Sequence, residues 1–195
     1  MILRLLVALL VSGCSTISMV DHTPVQIGES LVVSGSPHWN RLQPDADADA
    51  DEAWTAEGVT LDMVLFYAGI ADGDALGARA DKDKMPLIRA GMLPHDVVEL
   101  YEAMVARDGG VFRLERLAPA SFGGAKGFVF EHTTTPRTGP ALRGRAYGAV
   151  LDGRLYLISY TAPDGYFYAK HLAAVEALAA SARIKRRESA ASASP

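Results

Sequence analysis

The 195-residue sequence contains a single cysteine, Cys14. One cysteine cannot close an intrachain disulfide, and it cannot supply the several thiolates of a structural zinc site. Stability must therefore come from the hydrophobic core, for which the chain is long enough. An apolar fraction of 49% and a charged fraction of 22% are typical of a globular protein and predict one folded domain.

The sequence also lacks an excess of positive charge and an apolar run long enough to cross a bilayer. Its formal net charge is −4, whereas nucleic-acid binding favours a basic surface, so we expect no nucleic-acid partner. Negative charge gives no attraction to anionic lipid either. The apolar run near the start, Leu5–Val11, is far shorter than the ~20 residues of a membrane-spanning helix.

Residues 1–14 have the layout of a bacterial secretory signal. Arg4 precedes the apolar run, and the small residues Ser12 and Gly13 stand directly before Cys14. A cysteine in this position resembles the lipobox of bacterial lipoproteins. The resemblance implies that residues 1–13 are a signal peptide that is removed and that Cys14 is acylated. The alternative is a leader in which Cys14 is incidental.

The membrane is therefore the expected partner, through lipid at Cys14. Residues 14–24 are polar and predict a lipidated tether. Several acyl chains anchor a protein far more firmly than one, at ~0.8 kcal/mol per buried methylene. Ser15 stands where inner-membrane lipoproteins of Gram-negative bacteria carry Asp, so the resemblance favours the outer membrane, facing the periplasm. Residues 185–195 hold little that can be buried and predict a disordered tail.

Residues 25–184 predict a single α+β domain. Apolar residues at helical spacing predict helices over Pro94–Asp108 and Tyr166–Ile184, and Asp164 is placed to cap the second. Alternating apolar residues predict strands, which short turns make antiparallel. The predicted strands are Val25–Ile27, Leu31–Val33, Val59–Ala68, Val111–Leu117, Gly127–Thr135, Leu142–Leu151 and Arg154–Thr161. We expect an antiparallel sheet covered by helices on both faces.

Two turns in the second half of the domain shape this prediction. Asp152-Gly153 is typical of a type I′ hairpin, which needs positive φ at both central positions. Pro119–Gly124 is predicted as the turn between two further strands, because proline and glycine interrupt strands.

The order of elements, with Arg145–Ile158, Tyr160–Pro163 and Lys126–Thr133, is similar to the PsbP-like fold, an α-β-α sandwich. The sequence also resembles a group of uncharacterised alphaproteobacterial lipoproteins. The fold family includes a photosystem II extrinsic subunit, a Ran-binding nuclear protein and bacterial envelope lipoproteins. This spread implies binding and assembly roles without a shared reaction, and no functional residue of the family maps onto this chain.

No catalytic motif is found in the sequence. Gly-x-Ser-x-Gly does not occur, and Ser34 is interpreted as a strand-end residue. The histidines lack metal-binding spacing; they are His22, His38, His95, His132 and His171. His132 is the strongest candidate for proton chemistry, but its neighbour Glu131 should point to the opposite face of a strand.

Three other stretches have a functional and a structural interpretation. The run Asp45–Glu52 presents alternate carboxylates that calcium could use, although Ala50 stands where an EF-hand loop needs glycine; a solvated loop is the alternative. Gly123–Gly127 resembles a phosphate loop but precedes a strand, which favours a turn. The aromatic cluster can form a pocket rim or pack a helix on the sheet; its members are Tyr160, Tyr166, Phe167 and Tyr168.

The sequence therefore favours an envelope lipoprotein with a non-enzymatic binding or assembly role, towards a protein or a small ligand, and without a cofactor or metal. The alternative is an envelope hydrolase whose site is assembled from distant residues such as His132, Glu131 and Asp164. A third possibility is a metal site at Asp45–Glu52.

Overall fold

The computed structural model describes residues 17–42, 50–77 and 86–185. These residues form eleven strands and two helices. The strands are β1 (Ser18–Met19), β2 (Pro24–Ile27), β3 (Leu31–Ser34), β4 (Asn40–Leu42), β5 (Glu52–Thr55), β6 (Met63–Ile70), β7 (Val111–Phe122), β8 (Ala125–Thr135), β9 (Leu142–Leu151), β10 (Arg154–Pro163) and β11 (Arg183–Ile184), and the helices are α1 (Pro94–Arg107) and α2 (Tyr166–Ser181).

Eight strands form one sheet in the order β1-β4-β5-β6-β10-β9-β8-β7, and three form a small sheet in the order β11-β3-β2. Every pairing between these strands is antiparallel, as the short turns predict. The edges of the large sheet are β1, at the start of the described chain, and β7, near its middle. The central hairpin β9–β10 turns at Asp152 (φ 52°) and Gly153 (φ 71°), which confirms the predicted positive-φ turn.

The two helices lie on opposite faces of the large sheet. Helix α1 packs with Leu155 and Leu157 of β10, whereas α2 packs with Tyr156 and Ile158 of the same strand. Successive residues in a strand point to opposite faces. Each helix covers only part of its face. The small sheet covers the rest of the α2 face, and irregular chain around Ile88 covers the rest of the α1 face. The fold is therefore α+β but dominated by the sheet, and helical cover of both faces is only partial.

The turn predicted at Pro119–Gly124 is wrong. Strand β7 continues through Pro119 as far as Phe122, and the turn consists of Gly123 and Gly124. Proline donates no ladder hydrogen bond, so it is tolerated in a strand mainly at a sheet edge, and β7 is the edge.

Three other boundaries differ from those predicted. Strand β6 begins at Met63, because a turn whose Leu61 and Asp62 amides donate to the Gly58 carbonyl precedes it. Helix α2 ends at Ser181, where the hydroxyl accepts a hydrogen bond from the Ser34 amide at 2.9 Å. Residues Arg183–Ile184, predicted as the end of the helix, instead form β11 and pair with β3. Tertiary pairing thus overrides helix propensity at these two residues. The predicted tether, residues 14–24, overlaps β1 and the start of β2.

Candidate functional site

A cleft of about 750 Å³ lies where the ends of the two sheets meet. We call it the junction cleft. It is lined by the β2–β3 turn, the end of β6, the β9–β10 turn and β11. These segments are far apart in sequence, so the cleft exists only because the central hairpin and the small sheet meet in the folded domain.

Tyr156 of β10 forms the inner part of the junction cleft. Its ring passes next to Gly69, where a Cβ would lie 3.1 Å from the ring and where φ is +91°. Only glycine suits such a position without strain. The Tyr156 hydroxyl lies 3.2 Å from the Ser30 hydroxyl, and Arg154 Nη1 donates to the Gly69 carbonyl at 2.8 Å. The two sheets are thus joined through polar side chains at this cleft.

Charged groups of both signs line the junction cleft, and among the described residues the carboxylates outnumber the cations. The carboxylates are Glu29, Asp51, Asp74 and Asp152, and the cations are Arg154 and Lys185. Asp51 accepts the Ala68 amide at 2.7 Å, and Lys185 donates to the Gln26 side chain at 2.7 Å. A polar cleft with this balance suits a small molecule that carries positive charge.

A second polar centre lies between α2 and the loop after β3. We call His38, His171, Glu57 and Lys170 the histidine cluster. His38 Nε2 lies 2.9 Å from His171 Nδ1, and His171 Nε2 lies 3.5 Å from Glu57 Oε1. Lys170 pairs with the same carboxylate. His171 is buried whereas His38 and Glu57 are exposed, so the buried imidazole lies between two groups that reach solvent.

A turn around Asp62 positions Glu57 in the histidine cluster. The buried Asp62 carboxylate accepts the amides of Ala56 and Glu57 at 2.7 and 2.6 Å. Burial lowers the pKa of His171, while the nearby carboxylates of Asp62 and Glu57 act in the opposite direction. The hydrogen bond from Lys170 lowers the pKa of Glu57. His171 is therefore held mainly neutral beside an ionised carboxylate.

A third polar centre, the arginine network, surrounds Glu131 on the α2 face of strands β7 to β9. Arg145 donates to Glu131 at 2.8 Å, and Arg143 and Arg116 lie 3.7 and 3.9 Å from it. The Arg143 guanidinium also lies over the Tyr168 ring, 5.0 Å from its centroid. The network joins three strands through charge pairs and contacts α2 through Tyr168. This structural role is sufficient to account for its charged side chains.

No protein-family model matches the sequence, and no curated protein matches it. Among solved structures, the chain is similar to the solution structure of cyanobacterial PsbP (CyanoP) from Synechocystis sp. PCC 6803. The two chains share 10% sequence identity, and the match covers 80% of this chain and 93% of that chain, with a TM-score of 0.49.

The structure does not bring together the three residues named for the alternative hydrolase site. His132 is buried on the α1 face, whereas Glu131 belongs to the arginine network on the opposite face. Asp164 is exposed, 3.8 Å from Arg143. It does not cap α2, whose N-cap is Gly165 without a side-chain hydrogen bond. Cys14 lies outside the described residues.

The acidic run lies partly outside the described residues, which omit positions 43–49. Its described end has protein partners: Asp51 accepts the Ala68 amide, and Glu52 accepts hydrogen bonds from Trp54 Nε1 and Arg41 Nη2, both at 2.6 Å. Within the described ranges, no group of three or more His, Cys, Asp or Glu side chains is placed to hold a metal ion.

The aromatic cluster packs α2 onto the sheet, as one of its two interpretations predicts. The Tyr160 hydroxyl donates to the Phe167 carbonyl at 3.0 Å, and its ring stacks on Tyr168 at 5.5 Å. Gly123 lies in the β7–β8 turn, as the turn interpretation of Gly123–Gly127 predicts, and Ser34 ends β3.

Sequence reasoning missed the histidine cluster. His38 and His171 are 133 positions apart, so no local motif joins them. A weak signal exists, because His171 stands three residues after Tyr168 and four before Val175, on the buried stripe of α2.

None of the helices in the described ranges is long and apolar enough to span a membrane.

Proposed function

We propose that the protein is a bacterial envelope lipoprotein, anchored by lipid at Cys14, whose PsbP-like domain binds a small polar ligand in the junction cleft without catalysing a reaction. The leader ending in Ser12-Gly13-Cys14 supports the anchor. The order of sheet and helices supports the domain type. The outer membrane, facing the periplasm, is the favoured location, because Ser15 follows the cysteine.

The single observation that carries the binding role is the junction cleft itself. Its volume, about 750 Å³, falls within the range of small-molecule sites. Hydroxyls and charged groups converge on it, including Tyr156, Ser30 and Asp152. Its lining in the described chain includes no histidine or cysteine that could act as a nucleophile or base. Because carboxylates outnumber cations among the described residues of the lining, the ligand class is a small molecule with an amine or other cationic group.

The anchor is tested by metabolic labelling with a labelled fatty acid, followed by membrane fractionation. Wild type is compared with Cys14→Ser. We expect label and membrane association to be lost together in the variant. A variant that keeps both would show that Cys14 is incidental and would remove the envelope assignment.

The binding role is tested by thermal unfolding of the mature protein with putrescine as a dicationic probe and citrate as an anionic one. A ligand that binds only the folded state raises Tm with its concentration. We expect putrescine to raise Tm in the wild type and to raise it less in Asp152→Asn, because the variant lacks one carboxylate charge of the cleft. Asparagine is chosen because it also tolerates the positive φ at this position. Asp164→Asn, outside the cleft, is the matched control. An equal response in all three proteins, or stabilisation by citrate alone, would contradict the proposal.

The alternative function, an envelope hydrolase, is favoured by one observation. In the histidine cluster, exposed His38 is hydrogen-bonded to buried His171, whose Nε2 lies 3.5 Å from Glu57 Oε1 without a hydrogen bond between them. This order of groups orients a base that activates water when the last contact shortens to a hydrogen bond. The test is hydrolysis of 4-nitrophenyl acetate by wild type, His38→Ala and His22→Ala. A rate that His38→Ala abolishes and His22→Ala leaves intact supports hydrolysis. Equal rates exclude a role for the cluster.

A further inference from the structure

The chain is fixed to the folded domain almost directly after Cys14. Ser18 and Met19 of β1 pair with Arg41 and Asn40 of β4. The next residue, Val20, donates its amide to the Trp39 carbonyl at 2.9 Å, and its side chain is buried. The first strand of the large sheet therefore begins at Ser18.

Only Ser15 and Thr16 stand between Cys14 and Ile17 in the sequence. Three residue steps span at most about 11 Å even when fully extended. This inference rests on the proposed lipid anchor, which places Cys14 at the headgroup level of the bilayer. The chain is then too short to let the domain move freely away from the membrane, and β1 must stay near the headgroups.

The side chains at this point of the fold suit such a position. Ile17 and Met19 are 60% and 69% exposed, which is unusual for two large apolar residues so close together. The side chain of Arg41, which pairs in register with Ser18 on the neighbouring strand, is 47% exposed and contacts the buried Glu52 carboxylate. A groove of about 340 Å³ runs along the same edge between β1 and β2. Exposed apolar side chains at the edge nearest the anchor are suited to the boundary between headgroups and acyl chains.

We infer that the β1 edge, defined here as Ile17, Ser18, Met19 and Arg41, is a membrane-contact surface that lies against the lipid headgroups. The partner is the bilayer that the anchor enters. Strand β7 forms the opposite edge of the sheet. Seven inter-strand spacings separate the two edges, so β7 lies up to about 34 Å from β1. The anchor thus fixes the orientation of the domain as well as its location.

The test uses the full lipidated protein, in which acylated Cys14 leaves no native free thiol. Met19→Cys and Val111→Cys each add one thiol for a fluorescent label, on β1 and on β7 respectively. Both native side chains are exposed, Val111 by 66%, so neither change disturbs the core. The labelled proteins are reconstituted into vesicles of phosphatidylethanolamine and phosphatidylglycerol in which some lipids carry a headgroup nitroxide, which quenches nearby fluorophores.

We expect loss of most of the fluorescence at position 19 and little loss at position 111. A Gly/Ser spacer inserted after Thr16 should reduce quenching at position 19 to the level at position 111. Flotation with the vesicles separates the two proposals. A protein that floats but is quenched equally at both positions would overturn the orientation and leave the anchor intact. A protein that does not float would overturn the anchor and, with it, the orientation.

Discussion

Two histidines are buried on opposite faces of the large sheet, and their surroundings differ completely. His132 of β8 is 0% exposed and packs against Tyr101, Phe112 and Phe130. Neither of its nitrogens has a hydrogen-bond partner among the described residues, and the nearby Tyr101 hydroxyl is paired with Ser159 at 2.7 Å. His171 of α2 is 1% exposed, but its Nδ1 contacts His38 in the histidine cluster, while its Nε2 has no hydrogen-bond partner among the described residues.

The comparison separates the effect of burial on a histidine pKa from the effect of nearby charged groups. Burial lowers the pKa of both side chains, since a charged imidazole loses its hydration. For His132 nothing opposes burial, and the pKa falls to about 4. For His171 the carboxylates of Asp62 and Glu57 oppose the effect of burial. The histidine on the α1 face is therefore kept neutral by burial alone. The pKa of the histidine on the α2 face also depends on the charges of neighbouring side chains.

The largest expected effect is the pH dependence of stability caused by His132. Its folded-state pKa is about 4, below the ordinary value of 6.5. The unfolded state therefore binds the proton more readily, and stability is present above pH 6.5 and lost as the pH falls towards 4. The loss is about 3 kcal/mol over this window. The measurement is the free energy of unfolding in urea at a series of pH values.

His132→Leu isolates this contribution from that of the carboxylates. Leucine is similar in volume and has no buried nitrogen to leave unpaired, so the variant should equal or exceed wild type in stability at neutral pH. It should also lose less stability between pH 6.5 and 4. If both proteins show the same acid slope, His132 does not titrate as the structure indicates.

The next effect tests how tightly the α1 face holds the His132 ring. Gly144 of β9 lies opposite His132 in the sheet, and a Cβ there would lie 2.2 Å from ring atoms Cε1 and Nε2. Gly144→Ala should therefore destabilise the protein by about 2 kcal/mol, since the ring cannot move within a packed core. Urea unfolding measures the difference.

The matched background is His132→Ala, which removes the ring. Adding Gly144→Ala to it should have a much smaller effect than in wild type, and the coupling gives the strength of the contact. A cost that is the same in both backgrounds would mean that the glycine is needed for a reason other than the histidine.

A smaller effect is expected from breaking the histidine pair on the α2 face. His38→Ala leaves buried His171 Nδ1 without its partner at 2.9 Å. The expected loss is about 1 kcal/mol, the usual contribution of a hydrogen bond to a buried group. His22→Ala, another exposed histidine, is the control and should have almost no effect. Equal losses would show that the pair adds nothing to stability.

The two faces also differ in how well the sequence predicts which of their residues are buried together. The α1 face is formed by a clean helical stripe, and Val97, Leu100, Tyr101 and Met104 are buried as their spacing predicts. The alternation of β8 also correctly places His132 and Glu131 on opposite faces. Local periodicity is sufficient for such elements, because each side chain's environment follows from its own strand or helix.

The candidate sites could not be predicted in this way. The junction cleft joins the β2–β3 turn, β6, β10 and β11, and Ser30 meets Tyr156 across 126 positions. The domain also begins before the predicted residue 25, since β1 has only two residues and pairing with β4, not propensity, makes it a strand. Contacts between distant segments carry no periodic signal, so the sequence alone does not show which residues meet in the cleft.

The smallest effect concerns the direction in which neighbours adjust His171. The negative charge of Glu57 raises the pKa of His171, and the positive charge of Lys170 lowers it. Glu57→Gln should therefore lower the pKa of His171 further, whereas Lys170→Met should raise it. NMR titration of the imidazole resonances measures both. His132, shielded by the sheet on the other face, should titrate unchanged in both variants and serves as the internal control. Shifts of the same sign in the two variants would mean that altered burial, not charge, governs His171, and the contrast between the faces would then be one of packing alone.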